Sequence, residues 1–211
     1  MLKKLIERVR AWVSRPTLQK LISARVTITE LFFRFQDRWK KLDFKNDPET
    51  SYEGRQNHPY AHGSVSYLEL LISESKQFGE FEHFVDIGCG KGRMVLAAST
   101  RGNFQTVIGI DYSGELIEIA QSNIIKMGCN ASVQVADARE YRLPKRRALI
   151  YLFNPFGQKI LDTFLTNNLM NIRDHGSLIV YHNRIYEASL LTFGFKQKVS
   201  KYAYNTSFYW L

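Results

Sequence analysis

The sequence has little of what defines several large classes of protein. Its 211 residues include only two cysteines, Cys89 and Cys129, which are too few and too isolated for a disulfide framework or a thiolate metal site. The longest apolar runs, such as ALIYLF at 148–153, have the length of a strand and fall far short of the roughly 18 residues that a membrane-spanning helix needs. Repeats and low-complexity tracts are absent too. We therefore expect a globular domain with a full core.

Metal ligands and an export signal are also lacking. His58 and His62 are four residues apart but have no acidic cluster nearby, so we interpret them as solvated loop residues. The first residues, MLKKLIERVRAWV, are basic and then apolar, yet no small-residue cleavage site follows them. These features predict a cytoplasmic protein that binds no metal.

The positive charge of the chain is concentrated in its N-terminal part. The net charge is +9, and residues 1–45 contain 12 Lys and Arg against 4 Asp and Glu, whereas residues 46–211 contain 17 against 16. Apolar residues recur in this arm at steps of mostly three and four, which predicts a short amphipathic helix ending near residues 14–16 and a second helix after it. The apolar stripe of the second helix comprises Leu18, Leu21, Ile22, Ile28, Leu31, Phe32, Phe35, Trp39 and Leu42.

Two interpretations of the basic arm are open. In the first, its apolar stripe packs on the rest of the protein and its basic face is solvated. In the second, it binds an anionic surface, either acidic phospholipid or nucleic acid, and the protein is peripheral to a membrane or guided to RNA. We favour the first, because Trp and Phe at helical spacing are more often core residues than lipid anchors.

The rest of the chain divides into a loop and a regular domain. Residues 46–63 are rich in Pro, Gly, Asn and Asp, which predicts a loop. From residue 64 to residue 211, strand-like apolar segments alternate with amphipathic helical segments, which predicts a parallel sheet covered on both faces. The last two strand-like segments are separated by YN alone and predict an antiparallel hairpin. We expect an α/β fold with a seven-stranded, mainly parallel sheet, preceded by the helical arm.

The segment FVDIGCGKGRM at 84–94 contains a candidate ligand-binding loop. Gly88, Gly90 and Gly92 allow a sharp turn and a close backbone approach, and the first strand-to-helix turn of such a sheet usually contacts the ligand. A dinucleotide-binding turn would need a glycine at position 93, which is Arg93, and no Ser or Thr follows the lysine as in a phosphate-binding loop. Asp86 would repel a pyrophosphate but suits a ligand with a cationic end.

Acidic residues end the next two predicted strands. Asp111 lies 21 residues after Gly90, where its carboxylate can accept hydrogen bonds from both hydroxyls of a ribose. Asp137 can accept from an adenine amino group, and the amide of Ala138 can donate to a ring nitrogen. A cationic end, a ribose and an adenine together describe S-adenosylmethionine.

In these motifs the sequence resembles the class I S-adenosylmethionine-dependent methyltransferases. VDIGCGKG (85–92) is similar to their first motif, and NPFG (154–157) to the motif after their fourth strand. The resemblance covers about residues 64–211 and implies a Rossmann-like fold, methyltransferase activity and S-adenosylmethionine as the cofactor. The cofactor site that it implies consists of Asp86, Gly88, Cys89, Gly90, Gly92, Asp111, Tyr112, Asp137 and Ala138.

The candidate catalytic residues are Asn154, Pro155 and Phe156. Methyl transfer requires mainly that a neutral nucleophile be held about 3 Å from the methyl carbon. The side-chain oxygen of Asn154 and the carbonyl of Pro155 can accept N–H bonds from an amino acceptor, and Phe156 can form an apolar wall. The motif resembles the [DN]PP[YF] of methyltransferases acting on adenine and glutamine, but its second proline is absent. An ordinary strand-to-helix turn is the alternative.

A looser resemblance points to lysine as the acceptor. Residues 51–71 together with FNPFG are similar to the arrangement in the non-SET lysine methyltransferases and related small bacterial proteins. This implies that a loop containing Tyr60 and Ser64 folds over the cofactor. An apolar pocket lined by Phe156 and Tyr60 would lower the pKa of a lysine ammonium by desolvation.

Three functions remain open from the sequence. We favour N-methylation of an amino group on a protein or small molecule. An RNA methyltransferase guided by the basic arm is the second, and a non-catalytic binding protein with this fold is the third.

Overall fold

The structure is a computed structural model that describes residues 17–44 and 64–211. The predicted first helix of the arm, the loop at 46–63 with Tyr60, and the two loop histidines at 58 and 62 lie outside the described residues. Across the part of the chain that is described, no helix combines the length and the apolar character needed to cross a membrane.

In the described residues, helices alternate along the chain with the strands of one sheet. The helices are α1 (Thr17–Trp39), α2 (Val65–Ser75), α3 (Arg93–Arg101), α4 (Gly114–Met127), α5 (Gln158–His175) and α6 (Glu187–Thr192), with a 3-10 turn at Lys76–Phe78. The strands are β1 (His83–Ile87), β2 (Thr106–Asp111), β3 (Ser132–Val135), β4 (Ala148–Phe153), β5 (Leu178–His182), β6 (Lys196–Val199) and β7 (Thr206–Trp210).

The sheet has the strand order β3-β2-β1-β4-β5-β7-β6. Strands β1 to β5 are parallel, and β7 runs antiparallel to both β5 and β6. One apolar cluster contains residues of α2, α3 and α4, and the other contains residues of α5 and α6. Successive strand residues belong to different clusters, as Phe84 and Val85 do, because side chains alternate across a sheet. The predicted α/β fold, with a seven-stranded sheet, helices on both faces and a terminal hairpin, is confirmed.

The hairpin connection is longer than the predicted YN. Residues 200–205 separate β6 from β7. The hydroxyl of Ser200 accepts hydrogen bonds from the amides of Tyr202 and Ala203 at 3.2 and 3.1 Å and donates to the buried carboxylate of Glu74 at 2.7 Å. These hydrogen bonds end β6 at Val199, although the strand-like sequence pattern continues to residue 203.

Helix α1 packs on the domain with the face opposite to the one that its apolar stripe predicts. Phe33 is buried, and the hydroxyl of Ser66 in α2 donates to the carbonyl of Val26 at 3.1 Å. The stripe residues Leu21, Ile28, Leu31, Phe32, Phe35 and Trp39 are each more than half exposed. The favoured interpretation, that this stripe packs on the domain, is therefore wrong for these residues. The physical reason is that two acidic residues of α1, Glu30 and Asp37, face Arg93 in α3.

Candidate functional site

The predicted site residues meet at one edge of the sheet. Strand β1 lies between β2 and β4, and Ile87 pairs with Ile110 on one side and Leu152 on the other. Because the three strands are parallel, their carboxyl ends lie at the same edge. The structure thus brings the glycine loop after β1, Asp111 at the end of β2 and the NPFG turn after β4 together.

The glycine loop is held by hydrogen bonds to β2. Gly88, Gly90 and Gly92 have φ values of 80°, 52° and 79°. Residues other than glycine are disfavoured in this region. The amides of Gly88 and Cys89 both donate to the carbonyl of Ile110 at 2.8 Å. The loop backbone is therefore fixed in place by the neighbouring strand.

Asp111 contributes its side chain to the same arrangement. Its Oδ2 accepts from the amide of Gly90 at 2.8 Å, and its Oδ1 accepts from the amide of Ser113 at 2.9 Å. A carboxylate has about four acceptor positions, so each oxygen keeps capacity for a ligand hydroxyl. Burial raises the pKa of Asp111, and the amides of Ser113, Gly90 and Tyr112 oppose that rise.

Asp86 is a buried carboxyl group close to Asp111. It is 3% exposed, and its pKa is raised to about 8, first by burial and then by the charge of Asp111. Two acidic groups in a poorly hydrated place disfavour each other's ionisation. A ligand with a positive charge relieves both effects, so the acidic groups fit the ammonium or sulfonium of S-adenosylmethionine and do not fit a phosphate.

The NPFG turn is in direct contact with the glycine loop. A Cβ placed on Gly88 would lie 2.3 Å from the Cβ of Pro155, a distance that only glycine avoids. Asn154 is buried and has a φ of 41°, a left-handed conformation that Asn adopts more readily than most residues with a side chain and that recurs at Asn183 and Asn205. Phe156, two residues further along the chain, is buried as well. The catalytic role of this turn and the alternative of an ordinary strand-to-helix connection both stay predictions.

Asp137 lies two residues after the end of β3, and its carboxylate already has hydrogen-bond partners. The amide of Ala136 donates to the carbonyl of Asp111 at 2.9 Å, which holds the two strand ends together. The Asp137 carboxylate accepts from the amide of Arg139 at 2.9 Å and from its Nε at 3.0 Å. The hydrogen bond from the Arg139 side chain is the main cause that lowers the pKa of Asp137. The predicted contacts of Asp137 and the buried Ala138 with adenine stay predictions.

Three other predicted cofactor residues have different surroundings. The hydroxyl of Ser64 donates to Oε1 of Glu30 at 2.6 Å, so in the described structure it joins α2 to α1. The thiol of Cys89 is buried against Gly109, and burial raises its pKa, which favours a packing role. Tyr112 is 48% exposed next to Asp111. Their cofactor contacts also stay predictions.

Sequence reasoning missed two residues of β5. The hydroxyl of Tyr181 donates to Oδ1 of Asn154 at 2.9 Å, and burial is the main cause that raises the pKa of Tyr181 to about 12, so it remains a donor. The ring of His182 meets Phe153 edge-on at 4.6 Å between centroids, and burial lowers the pKa of His182. The available signal was the pair of polar aromatic residues that ends the apolar run SLIVYH.

Two cationic residues were also missed, Lys91 in the glycine loop and Arg93 at the start of α3. Lys91 is 1% exposed, and its Nζ lies 3.3 Å from Oδ1 of Asp43. Arg93 is buried, and its Nη1 donates to Oδ2 of Asp37 in α1 at 2.7 Å. Asn123 in α4 donates to the carbonyls of Asp43 and Lys91 at 3.0 and 3.1 Å. The N-terminal arm is therefore joined to the glycine loop and to α3. The sequence signal for this contact was the spacing of Glu30 and Asp37, which lie seven residues apart on α1.

Comparison with known proteins agrees with this geometry. The family model described as "Methyltransferase domain" matches residues 84–168. The chain is similar to the rRNA N(6)-adenosine-methyltransferase metl-5 of Caenorhabditis elegans, with 30% identity over 128 residues that cover 56% of this chain and 59% of that protein. The chain thus spans about three fifths of the length of this curated relative.

A solved structure shares the fold. The crystal structure of a ribosomal protein L11 methylase from Lactobacillus delbrueckii subsp. bulgaricus has a TM-score of 0.52 and 16% identity to this chain. The match covers 72% of this chain and 79% of the methylase.

Proposed function

We propose that this chain, in which the methyltransferase domain model matches residues 84–168, is a class I S-adenosylmethionine-dependent methyltransferase that methylates an amino nitrogen of a protein side chain or small molecule. The observation that carries the proposal is the contact between Gly88 in the loop and Pro155 in the NPFG turn. It puts hydrogen-bond acceptors for an N–H group directly against the loop that would hold the cofactor.

The residues that would hold the cofactor are Asp86, Asp111 and the glycine loop. When bound, S-adenosylmethionine supplies a methyl group on a positively charged sulfur. A cation next to Asp86 would lower the pKa of its carboxyl group and so offset the effect of burial. Asp111 would accept hydrogen bonds from ribose hydroxyls and would keep the hydrogen bond from the amide of Gly90. The N-terminus of α3 favours a carboxylate.

The acceptor side would be formed by the NPFG turn and β5. Tyr181 donates to Oδ1 of Asn154 and so fixes the direction of that amide group. The remaining acceptor capacity of Oδ1 and the carbonyl of Pro155 can receive N–H bonds and orient a nitrogen lone pair. Phe156, a buried member of an apolar cluster, would exclude water from one side. Positioning of this kind can supply much of the rate of a methyl transfer.

A second candidate is the exocyclic amino group of adenine in RNA. The relative in Caenorhabditis elegans bears the name of an rRNA N(6)-adenosine-methyltransferase, and residues 1–45 carry the excess of 12 basic over 4 acidic side chains. A basic arm would supply affinity that falls steeply as salt is raised.

Transfer of labelled methyl groups into a fractionated cell lysate tests both candidates. The proposal expects label in protein or small molecules as N-methyl groups, and much less with Asn154→Ala. Label in RNA as N6-methyladenosine would support the second candidate. Binding of S-adenosylmethionine without transfer into any fraction would contradict both.

A further inference from the structure

The outer face of α1 carries a long exposed apolar stripe. Its members are Leu21, Ile28, Leu31, Phe32, Phe35 and Trp39, which fall on one side of a helix because their steps are mostly three, four and seven residues. At 1.5 Å per residue the stripe extends over about 27 Å. The rings of Phe35 and Trp39 meet edge-on at 5.9 Å. A patch of this size on a surface helix indicates an interaction site.

The charged residues of α1 and its C-terminal extension are sorted by sign. The acidic residues Glu30 and Asp37 face the domain, where they lie 4.0 and 2.7 Å from the guanidinium of Arg93, and Asp43 lies next to Lys91. The exposed basic residues are Arg25, Arg34, Arg38, Lys40 and Lys41. The outward side is therefore apolar along its centre and basic along its margins, and of the acidic side chains in residues 17–44 only that of Asp43, beyond the end of α1, is nearly half exposed.

We propose that α1 binds the interfacial region of an anionic phospholipid membrane and lies parallel to its surface. Aromatic and aliphatic side chains would enter the boundary between headgroups and acyl chains, while Arg and Lys at the margins contact phosphate groups, as interfacial amphipathic helices do. Near the surface each basic residue adds electrostatic attraction to anionic lipid. This inference is independent of which molecule accepts the methyl group.

The charge pattern favours lipid over other occupants of the stripe. A second copy of the chain would bring basic margins against basic margins, which is repulsive. RNA-binding surfaces hold bases by stacking on aromatic rings together with polar contacts to base edges, and Leu21, Ile28 and Leu31 offer neither. An anionic bilayer satisfies the apolar centre and the basic margins together.

Vesicle flotation with the full chain tests the proposal. We expect binding to vesicles of phosphatidylcholine mixed with phosphatidylglycerol, weaker binding to phosphatidylcholine alone, and a loss as salt is raised. The double variant Phe35→Ser/Trp39→Ser should bind the mixed vesicles at least about tenfold more weakly. The matched control Ile125→Ser/Met170→Ser replaces apolar side chains that are equally exposed, at 70% and 61%, and should bind as the wild type does.

Depth-sensitive quenching adds a second readout. Brominated lipid in the mixed vesicles should quench tryptophan emission in the wild type, and Trp39→Phe should reduce that quenching while vesicle binding is largely kept. The proposal is overturned if the full chain does not bind the mixed vesicles or if the double variant binds them as well as the wild type. It is also overturned if the double variant loses only RNA binding or only self-association.

Discussion

The amide of Gly90 donates a 2.8 Å hydrogen bond to Oδ2 of Asp111, 21 residues further along the chain. This bond joins the loop after β1 to the acidic residue that ends β2. The side chain expected to bind a ribose therefore also sets the conformation of the glycine loop. A change at either residue should disturb both functions.

Replacing Asp86 by Asn should separate stability from binding. In the folded chain the pKa of Asp86 is about 8, whereas an unfolded Asp titrates near about 3.9. Between these values the folded chain holds more protons than the unfolded chain, so the free energy of unfolding falls as the pH rises. Without cofactor, the excess of the Asp86→Asn free energy of unfolding over that of the wild type should grow by on the order of 5 kcal/mol between pH 4 and pH 8.

Denaturant unfolding at both pH values measures this difference, and calorimetry should show that Asp86→Asn loses affinity for S-adenosylmethionine. An unchanged pH dependence of stability in the variant would contradict the assigned titration.

Gly88→Ala should disrupt the site more than a comparable substitution elsewhere. A Cβ at Gly88 would meet Pro155 at 2.3 Å, whereas at Gly194, which has a similarly positive φ of 87°, no atom lies within 4 Å. Both substitutions carry backbone strain of about 1 kcal/mol, and the clash adds about 1–3 kcal/mol at Gly88 alone. Thermal unfolding and cofactor titration of both variants measure the difference. Equal effects would show that the Gly88–Pro155 contact has no consequence.

Arg93→Met should weaken the attachment of α1. The Arg93 side chain is buried and pairs with Asp37, so its removal leaves a shielded carboxylate without its cation and should lower the free energy of unfolding by about 3 kcal/mol. Arg146→Met is the control, because Arg146 is exposed and lies 3.9 Å from Glu82, a surface pair whose loss changes stability by less than about 1 kcal/mol. If Arg93→Met and Asp37→Asn have strictly additive effects, the pair does not act as described.

Tyr181→Phe should lower turnover without changing cofactor affinity. The substitution removes the hydroxyl that donates to Asn154 and frees the direction of its amide group. We expect kcat to fall by about tenfold, with the Kd for S-adenosylmethionine unchanged. Tyr204→Phe, at a residue 93% exposed, should alter neither quantity. A parallel loss of cofactor affinity would place Tyr181 in the cofactor site instead.

The features that the sequence predicted correctly depend on local signals. Helix caps are one such signal: Ser113 at the start of α4 accepts a 3.3 Å hydrogen bond from the amide of Leu116, and Gly128 ends that helix with a φ of 69°, and both residue types are preferred at these positions. The glycine loop could be located because its backbone conformation excludes most other residues.

The features that the sequence did not predict depend on contacts between distant residues. Periodicity located the apolar stripe of α1 but not its direction, which is set by pairs such as Asp37 with Arg93, 56 residues apart. The bond from Tyr181 to Asn154 joins residues 27 positions apart in the chain, and the polar aromatic pair that ends SLIVYH does not indicate Asn154 as its partner. The sequence around Ser64 suggested only a cofactor contact. It gave no sign of the hydrogen bond from the Ser64 hydroxyl to Glu30.

Calorimetric titration of S-adenosylmethionine into the full chain tests the cofactor site most directly. We predict binding at a single site at sub-millimolar cofactor, weakened at least about tenfold by Asp111→Ala and unchanged by Asp174→Ala at an exposed helical residue, with circular dichroism confirming that both variants are folded. Absence of binding by the wild type, or equal affinity in the folded Asp111→Ala variant, would contradict the site described.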